Sequence, residues 1–324
     1  MYIEPIKWDK VVANGVSKSN QTEFHVPVLA YETVLWLDCQ QGGRYLDCTV
    51  GHGGLASRIL DLTSPDGIVV GIDRDEEAIA VARERLKLFA GQVCLIQGNF
   101  SELKEHLQST GISKVDGVVF DLGVSSAQLA RPERGFSFLT DGLLDMRMEQ
   151  GAGQTAADLV NKLSEADLAG VIYRYGEERY SRRIARSVVR AREHRPLRTT
   201  FDLVSVILDA VPASYRYGRL HCATRTFQAL RIVVNRELEV LEPALRDAAD
   251  VLTPGGRLCV ISFHSLEDRI VKQTLRALSQ GPDACLSRLT KKPLTPSERE
   301  RRENPRARSA KLRVAERLPG ARHS

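Results

Sequence analysis

The chain has 324 residues, 43% of them hydrophobic and 27% charged, which is the composition of a soluble globular protein with room for one large domain or two ordinary ones. No apolar run approaches the ~18 residues of a membrane-spanning helix, and the first 24 residues contain no apolar signal core. The six cysteines are scattered without a C-x-x-C pair, which argues against disulfides and against a zinc cluster. We expect a cytoplasmic protein with no membrane segment and no bound metal.

Strand and helix signals alternate over 24–130, after an N-terminal tail, 1–23, that we expect to be flexible. Short apolar runs predict four strands, at 43–51, 67–73, 93–100 and 115–123. Helical spacing of apolar residues predicts helices before and between them, at 25–38, 52–62, 76–89 and 101–108. This alternation is typical of an α/β fold with a parallel, doubly wound sheet and right-handed crossovers.

The alternation breaks over 131–223, where strand signals are weak and several segments have helical spacing. We predict an inserted all-helical domain there. Between 171 and 231, 13 arginines and no lysine stand against 5 acids, a local net charge of +8. Such a patch favours a polyanionic partner over a merely solvated surface, and arginine rather than lysine favours planar contacts to phosphates or base edges.

Alternation resumes over 224–317, which should complete the sheet. One long helix is predicted over 223–252, followed by a buried strand at 257–263 and a helix from Leu266. The residues 310–316 alternate between apolar and polar, which predicts a half-exposed edge strand. The Pro- and Arg-rich stretch 282–308 is predicted to be a basic loop, and 318–324 a terminal tail.

The turn after the first strand has the residues of a nucleotide-binding sheet. Gly51, Gly53 and Gly54 allow a ligand to approach the backbone, and Asp73 ends the next strand, where a carboxylate accepts the hydrogen bonds of a ribose diol. The segment GHGGLA also fits G-x-G-x-x-G/A, so a nicotinamide-dependent oxidoreductase is an alternative.

Two further features favour a cofactor without phosphate. Asp47 places a carboxylate beside the glycine turn, where it would repel a pyrophosphate and attract an ammonium group. Asn99 and Phe100 follow the third strand and offer a polar group and an aromatic face to an adenine. A cofactor with an adenosine and an amino-acid end satisfies all of these groups, and we predict S-adenosylmethionine.

Sequence blocks in order along nearly the whole chain, among them FDLGVSSAQL (120–129), RGFSF (134–138), ATRTFQALRI (223–232) and ISFHSLEDRIVK (261–272), resemble the bacterial 16S ribosomal RNA (cytosine-N4)-methyltransferases of the MraW type. The resemblance implies a class I S-adenosylmethionine-dependent methyltransferase fold, a Rossmann-like sheet interrupted by a helical substrate-recognition domain. It also implies methyl transfer to the N4 amine of a cytosine in the decoding centre of 16S rRNA, within the assembled small ribosomal subunit.

Carried over position by position, the resemblance implies cofactor contacts at Gly53, Gly54, Leu55, Asp73, Phe100, Asp121 and Gln128. The family usually has a histidine where this chain has Leu55. A contact made by the backbone would tolerate this difference, whereas a contact made by the imidazole would be lost.

Methyl transfer to a cytosine amine requires a group that accepts a hydrogen bond from its N–H, and Asp121, Ser125 and Ser126 are the candidates at the end of the fourth strand. Many amino-methyltransferases have [N/D]-P-P-[F/Y] there, and DLGV lacks both prolines and the aromatic ring. The two serines equally fit a helix N-cap. For His264 we favour a structural role beside a capping arrangement over Ser265–Asp268.

A target base that leaves its stack needs a pocket with aromatic and arginine surfaces. The candidates for substrate binding are Arg134, Phe136, Phe138, Arg147, Arg225 and Arg231. Core packing accounts equally well for either phenylalanine.

Besides the oxidoreductase, a second alternative is a non-catalytic rRNA-binding assembly factor on the same fold, suggested by Leu55 and by the missing prolines. The oligomeric state, monomer or homodimer, is left open by the sequence.

Overall fold

The computed structural model describes residues 27–151, 153–218 and 220–320. The tail predicted over 1–23 and the last four residues of the tail predicted over 318–324 lie outside the described residues.

The elements up to the fourth strand are α1 (Ala30–Leu37), β1 (Arg44–Asp47), α2 (Gly54–Thr63), β2 (Ile68–Asp73), α3 (Glu76–Arg85), β3 (Val93–Gln97), α4 (Leu103–Ser109) and β4 (Val115–Asp121). The helical part contains α5 (Ser126–Ala130), α6 (Ala156–Lys162), α7 (Glu165–Gly176), α8 (Ser181–His194), α9 (Thr200–Ala210), α10 (Ala213–Arg216) and α11 (Thr224–Asn235). The last part contains α12 (Leu241–Val251), β5 (Leu252–Ser262), α13 (Ser265–Ala277), β6 (Leu286–Arg288), α14 (Glu298–Glu303) and β7 (Lys311–Arg317).

The seven strands form one sheet in the order β3-β2-β1-β4-β5-β7-β6. The strands β1 to β5 run parallel, and β7 pairs antiparallel with both β5 and β6. From β1 the chain moves outward to β2 and β3 and then returns to β4 on the other side of β1. Such a reversal leaves a crevice at the carboxyl ends of β1 and β4, where ligands bind in open α/β sheets. The predicted doubly wound α/β sheet is confirmed.

Both faces of the sheet are covered by helices. In β4, Val118 and Phe120 join a core that α4, α12 and α13 complete, whereas Val119 joins a core completed by α1 and α2. Because successive side chains of a strand point to opposite faces, a strand buried on both sides reads as a continuous apolar run. The apolar run VVF is buried on both sides in this way. It ends at Asp121, the last residue of β4, whose side chain lies at the crevice.

A third core holds the helical part together. It is formed by apolar residues of α6, α7, α8, α9 and α11, such as Ile172, Ile184 and Leu230. A side chain on Gly176 would come within 2.4 Å of the carbonyl oxygen of Arg225, so α7 and α11 are in close contact. Over 131–223 the described residues contain no strand, only one bridge between Leu143 and Thr199.

The long helix predicted over 223–252 is wrong, because the chain forms two helices there. Arg236 has φ 52°, in the left-handed region, and this residue ends α11. Helical periodicity on both sides of such a residue looks continuous in the sequence, because one left-handed residue changes the direction of the chain without changing its hydrophobic pattern.

The strand predicted at 310–316 is present as β7, but its predicted edge position is wrong, because β7 lies between β5 and β6 and is mostly buried. Its polar position Arg313 is buried as well, since its Nε donates to Asp268 Oδ1 at 2.7 Å. The supposed loop over 282–308 contains β6 and α14.

All six cysteines are free thiols, in agreement with the prediction of no disulfide framework. Among the described residues, no helix combines the length and the apolar composition that crossing a membrane requires.

Candidate active site

A cavity of about 370 Å³ opens at the carboxyl ends of β1, β2 and β4, where the sheet reverses its strand order. Residues from distant parts of the chain meet in its wall, and those that carry the chemistry are Asp47, Asp73, Phe100, Asp121, Arg231 and Glu267. β1, β2 and β4 each end in an acid that lines the cavity, although Arg74, Arg85 and Arg306 also line it, so the strand ends are suited to a ligand group with positive charge.

The glycine turn after β1 contains two residues in the left-handed region. Gly51 has φ 50° and Gly53 has φ 76°. Gly51 and Gly54 line the cavity, whereas a side chain on Gly53 would come within 3.1 Å of Leu86 Cδ1. Gly53 therefore serves the packing of the turn against Leu86. Leu55 also lines the cavity and is buried, so an apolar wall stands at the position where the family usually has a histidine.

Asp73 is held rigidly at the end of β2. Its Oδ2 accepts the N–H of Gly51 at 2.8 Å, and its Oδ1 accepts the N–H of Asp75 at 2.9 Å. Burial raises the pKa of Asp73 to about 6, although these backbone hydrogen bonds and the Arg74 charge oppose the rise. Each carboxylate oxygen has a further lone pair, so Asp73 still has the capacity to accept hydrogen bonds from a ribose diol.

Phe100 lines the cavity and packs edge-on against Phe120 of β4, with ring centroids 5.4 Å apart and an interplanar angle of 81°. The side chain of Asn99 accepts the N–H of Ser101 at 3.1 Å and thereby caps the short helix that follows β3. Phe100 thus provides an aromatic wall, while the Asn99 side chain is engaged in capping.

Asp121 ends β4 with a buried carboxylate oxygen, Oδ1, to which no group among the described residues donates a hydrogen bond. Its backbone N–H donates to Thr49 Oγ1 at 2.6 Å, which fixes the strand end beside the glycine turn. Burial raises the pKa of Asp121 to about 8, and the negative charges of Asp47 and Glu267 add to the rise. A buried acceptor without a donor in a cavity wall indicates a place for a ligand group.

Asp47 lies on the neighbouring strand and is only 1% exposed. Its Oδ1 accepts the N–H of Thr49 at 3.1 Å. Burial raises the pKa of Asp47 to about 7, and the nearby charge of Asp73 contributes in the same direction. The crevice thus concentrates three carboxyl groups whose charged forms are disfavoured until a positive ligand arrives.

The two serines after β4 have partners of their own. Ser125 is the N-cap of α5, and it forms a reciprocal capping box with Gln128. Gln128 also donates from Nε2 to Asp75 Oδ2 at 2.8 Å. The Ser126 hydroxyl accepts a hydrogen bond from Arg306. Ser125, Ser126 and Gln128 all line the cavity. The N-cap interpretation of Ser125 is confirmed, whereas Asp121 Oδ1 has no hydrogen-bond partner among the described residues.

A second group of charges, which the sequence did not reveal as a cluster, borders the cavity. Arg231 donates from Nε and from one terminal nitrogen to the two carboxylate oxygens of Glu237, both at 2.9 Å, and lies 4.0 Å from Glu267. Glu267 accepts the N–H of Phe263 at 2.8 Å. Burial raises the pKa of Glu267, but His264 and Arg231 outweigh it and the net direction is downward, so Glu267 is a charged neighbour of Asp121.

His264 caps α13, as a structural histidine would. It is the N-cap residue, and Glu267 is its capping-box partner, so the capping arrangement begins one residue earlier than predicted over Ser265–Asp268. Ligand atoms of Glu237, His264 and Glu267 lie within 4.8 Å of one another, the spacing of a metal site. The guanidinium of Arg231 already neutralises Glu237, which favours an ion-pair cluster there.

Two residues predicted to contact the substrate are buried. Arg134 is 2% exposed and donates to Asp75 Oδ2 at 2.8 Å and to the carbonyl oxygens of Arg147 and Met148. Phe136 is 7% exposed and belongs to the core of the helical part. This placement favours structural roles for both residues over the predicted contact with a substrate.

The other candidates differ in accessibility. Arg147 forms a two-pronged ion pair with Asp145, at 2.9 and 2.7 Å. Phe138 stacks on His221 with centroids 4.8 Å apart. Arg225 is half-buried and donates to the carbonyl oxygen of Glu177, and Arg231 is the one of the six that lines the cavity.

The residues present fit S-adenosylmethionine. Asp73 would hold the ribose diol and Phe100 the adenine, while Asp47 and the unpaired oxygen of Asp121 would face the positively charged groups. Asp47 and Asp121 would repel a pyrophosphate near the strand ends, which argues against a dinucleotide there.

Comparison with known proteins gives the family. Residues 22–318 match the model of the MraW methylase family. The ribosomal RNA small subunit methyltransferase H of Geobacter sp. (strain M21) is 50% identical over 307 residues, which cover 91% of this chain and 98% of that protein. The protein of the same name from Halothermothrix orenii is 46% identical, with the same coverage of 91% and 98%.

Among solved structures, a putative rRNA methylase from Clostridium thermocellum matches over 91% of this chain and 98% of that chain, with 13% identity and a TM-score of 0.46. The family match spans the sheet, the helical part and the cavity described above. The chain belongs to the MraW methylase family, and the predicted methyltransferase fold with S-adenosylmethionine as its cofactor is confirmed.

Proposed function

We propose that the protein transfers a methyl group from S-adenosylmethionine to the N4 amine of a cytosine in the decoding centre of 16S rRNA. Its substrate would be the assembled small ribosomal subunit in the cytoplasm. The names of relatives at 46% and 50% identity support rRNA of the small subunit as the substrate. The observation that carries the chemistry is the unpaired carboxylate oxygen of Asp121 in the wall of the cofactor cavity.

An exocyclic amine is a poor nucleophile because its lone pair is delocalised into the ring. The cofactor supplies an electrophilic methyl group on a positively charged sulfur. Asp121 Oδ1 would accept a hydrogen bond from the amine, which returns electron density to the nitrogen, and would receive the proton as the new bond forms. The hydrogen bond from the Asp121 N–H to Thr49 holds this acceptor in place.

The neighbours of Asp121 tune it for this role. The charges of Asp47 and Glu267 raise its pKa and so make it a better proton acceptor than an ordinary aspartate. The hydroxyls of Ser125 and Ser126 are engaged with Gln128 and Arg306, so they are second choices as acceptors. This arrangement replaces the proline-shaped turn of other amino-methyltransferases.

Cofactor binding should release protons. A positive ligand favours the carboxylate forms of Asp121 and Asp47, whose pKa values in the free protein are about 8 and about 7. Affinity should therefore fall as the pH is lowered from 8 to 6, by up to about tenfold per pH unit for each proton released. Burial and the charge of Arg85 lower the pKa of His52, another residue of the cavity lining.

Calorimetry of cofactor binding between pH 6 and pH 9 measures this effect. The demethylated product, S-adenosylhomocysteine, has no sulfonium charge and should show a shallower dependence on pH. The same slope for both ligands, or no slope for either, would contradict the assignment of the acidic cavity to a positive ligand.

Mass spectrometry of rRNA nucleosides tests the function itself. Small subunits that lack the modification, incubated with the protein and S-adenosylmethionine, should gain N4-methylated cytidine at one position. Naked 16S rRNA serves as the parallel substrate. Binding of the subunit without any transfer would instead support the assembly factor.

A further inference from the structure

Two tyrosines and an arginine form a compact cluster on the surface of the helical part, which we call the Arg179 platform: Arg179, Tyr180 and Tyr215. The two rings pack edge-on with centroids 4.8 Å apart and an interplanar angle of 68°. The guanidinium carbon of Arg179 lies 4.8 Å from the Tyr180 centroid and 4.9 Å from the Tyr215 centroid. Arg179 is exposed, so its planar group is held at the surface by two aromatic rings.

Glu178 fixes the two tyrosines from below. It is fully buried at 0% exposure, its Oε1 accepts the N–H of Tyr180 at 2.8 Å, and its Oε2 accepts the hydroxyl of Tyr215 at 2.6 Å. The platform is therefore ordered before any ligand binds, which reduces the entropy cost of binding.

Among the described residues, the exposed guanidinium groups of the platform lack ion-pair partners, whereas the carboxylate of Glu178 is buried beneath the tyrosines and hydrogen-bonded to them. In the described part of the chain, no carboxylate forms an ion pair with Arg179, Arg182 or Arg183, whereas most other arginines of the helical part are paired or bonded to carbonyl groups. Arg183 also lies 5.9 Å above the Tyr180 ring. Exposed guanidinium groups beside aromatic rings, without ion-pair partners at the surface, are typical of surfaces that bind nucleic acid.

The platform is connected to the active site through α11. Arg225, in the first turn of this helix, donates to the carbonyl oxygen of Glu177, the residue two positions before Arg179. Arg231, six residues later on the same helix, lines the cavity, and six residues span about 9 Å along a helix. A strand of RNA with its target base in the cavity would thus have a flanking nucleotide near Arg179.

We propose that the Arg179 platform binds an unstacked base of the rRNA strand beside the target cytosine, with Arg182 and Arg183 contacting the adjacent phosphates. This inference rests on the proposed function. Single-stranded RNA is recognised by bases that stack on aromatic rings or on guanidinium planes, and such stacking contributes about 1–3 kcal/mol per base. The exposed guanidinium of Arg179 offers that plane, and the two tyrosines hold it at the surface.

Arg179→Lys separates stacking from charge, because lysine keeps the charge and loses the plane. Its affinity for small subunits, measured by filter binding at several salt concentrations, should fall at least about 5-fold, with an unchanged salt slope. Arg179→Ala should weaken binding further and lower the slope by about 0.7–0.9. Arg83→Lys, at an exposed arginine of α3, is the matched control and should bind like the unaltered protein.

Two further measurements make the result decisive. Circular dichroism and cofactor calorimetry should be unchanged in all three variants, which would show that fold and cofactor site are intact. Equal affinity of Arg179→Lys and the unaltered protein would refute a stacking role for Arg179. Failure of the unaltered protein to bind or methylate small subunits would instead refute the proposed function, so the two failures are distinguishable.

Discussion

Asp121→Asn is expected to lower the rate of methyl transfer by about 10²- to 10⁴-fold, the range that a positioned general base contributes. Asparagine keeps the size of the side chain and can still accept a hydrogen bond, but it cannot receive the amine proton at a useful pH. The buried Oδ1 of Asp121 has no donor among the described residues, so the substitution breaks no existing hydrogen bond of that atom and should leave the fold intact.

The matched control is Asp116→Asn, an identical change on the same strand at the far end from the cavity. Asp116 accepts the N–H of Arg44 at 2.9 Å and the hydroxyl of Thr253 at 2.9 Å. Single-turnover transfer with saturating cofactor isolates the chemical step from cofactor binding, which Asp121→Asn should also weaken. A rate within a few-fold of the unaltered protein would move the role of proton acceptor to Ser125 or Ser126.

Arg134→Met is expected to lower the free energy of unfolding by about 3–5 kcal/mol, because it leaves a buried carboxylate without its cation. Asp75 is 4% exposed, and its Oδ2 accepts hydrogen bonds from both Arg134 and Gln128 at 2.8 Å. Without Arg134, the two backbone carbonyls of residues 147 and 148 also lose a donor. Urea denaturation followed by circular dichroism measures the change.

Arg131→Met is the control, because Arg131 is 44% exposed in its side chain and pairs with Glu77 on the same surface. Such an exposed pair contributes about 0–1 kcal/mol. If both variants unfold alike while Arg134→Met selectively loses affinity for the small subunit, the structural role assigned to Arg134 is wrong and the predicted contact with RNA is favoured.

The sequence predicted the parts of the molecule that depend on local pattern. Strands that end at a carboxylate, such as those at Asp73 and Asp121, mark the crevice because the carboxyl ends of parallel strands share one edge of the sheet. The capping roles of Ser125 and His264 also depend on the local sequence, so they could be predicted from it. The left-handed turn at Arg236 was not, because an arginine carries no signal for that conformation.

The sequence could not show which residues contact each other when they lie far apart in the chain. The sequence predicted that Arg134 contacts the RNA substrate, but in the structure Arg134 pairs with Asp75, 59 positions earlier in the chain. The cluster of Arg231 with Glu267 and the meeting of Tyr180 with Tyr215 likewise join residues far apart in the chain. The sequence does not distinguish an exposed arginine from a buried one, so the accessibility of each arginine is known only from the structure.

Asp75 contacts both the cofactor site and the helical part, and this bears on how cofactor binding and RNA binding would affect each other. Asp75 lies two residues after Asp73, whose Oδ1 accepts its N–H, and its carboxylate anchors the segment that leads into the helical part through Gln128 and Arg134. Asp75 therefore connects the ribose site proposed at Asp73 with the helices proposed to bind RNA. By thermodynamic reciprocity, whatever factor the cofactor applies to RNA affinity, the RNA must apply to cofactor affinity. Under the proposed function, binding of the methyl donor and binding of the rRNA would therefore be coupled equilibria.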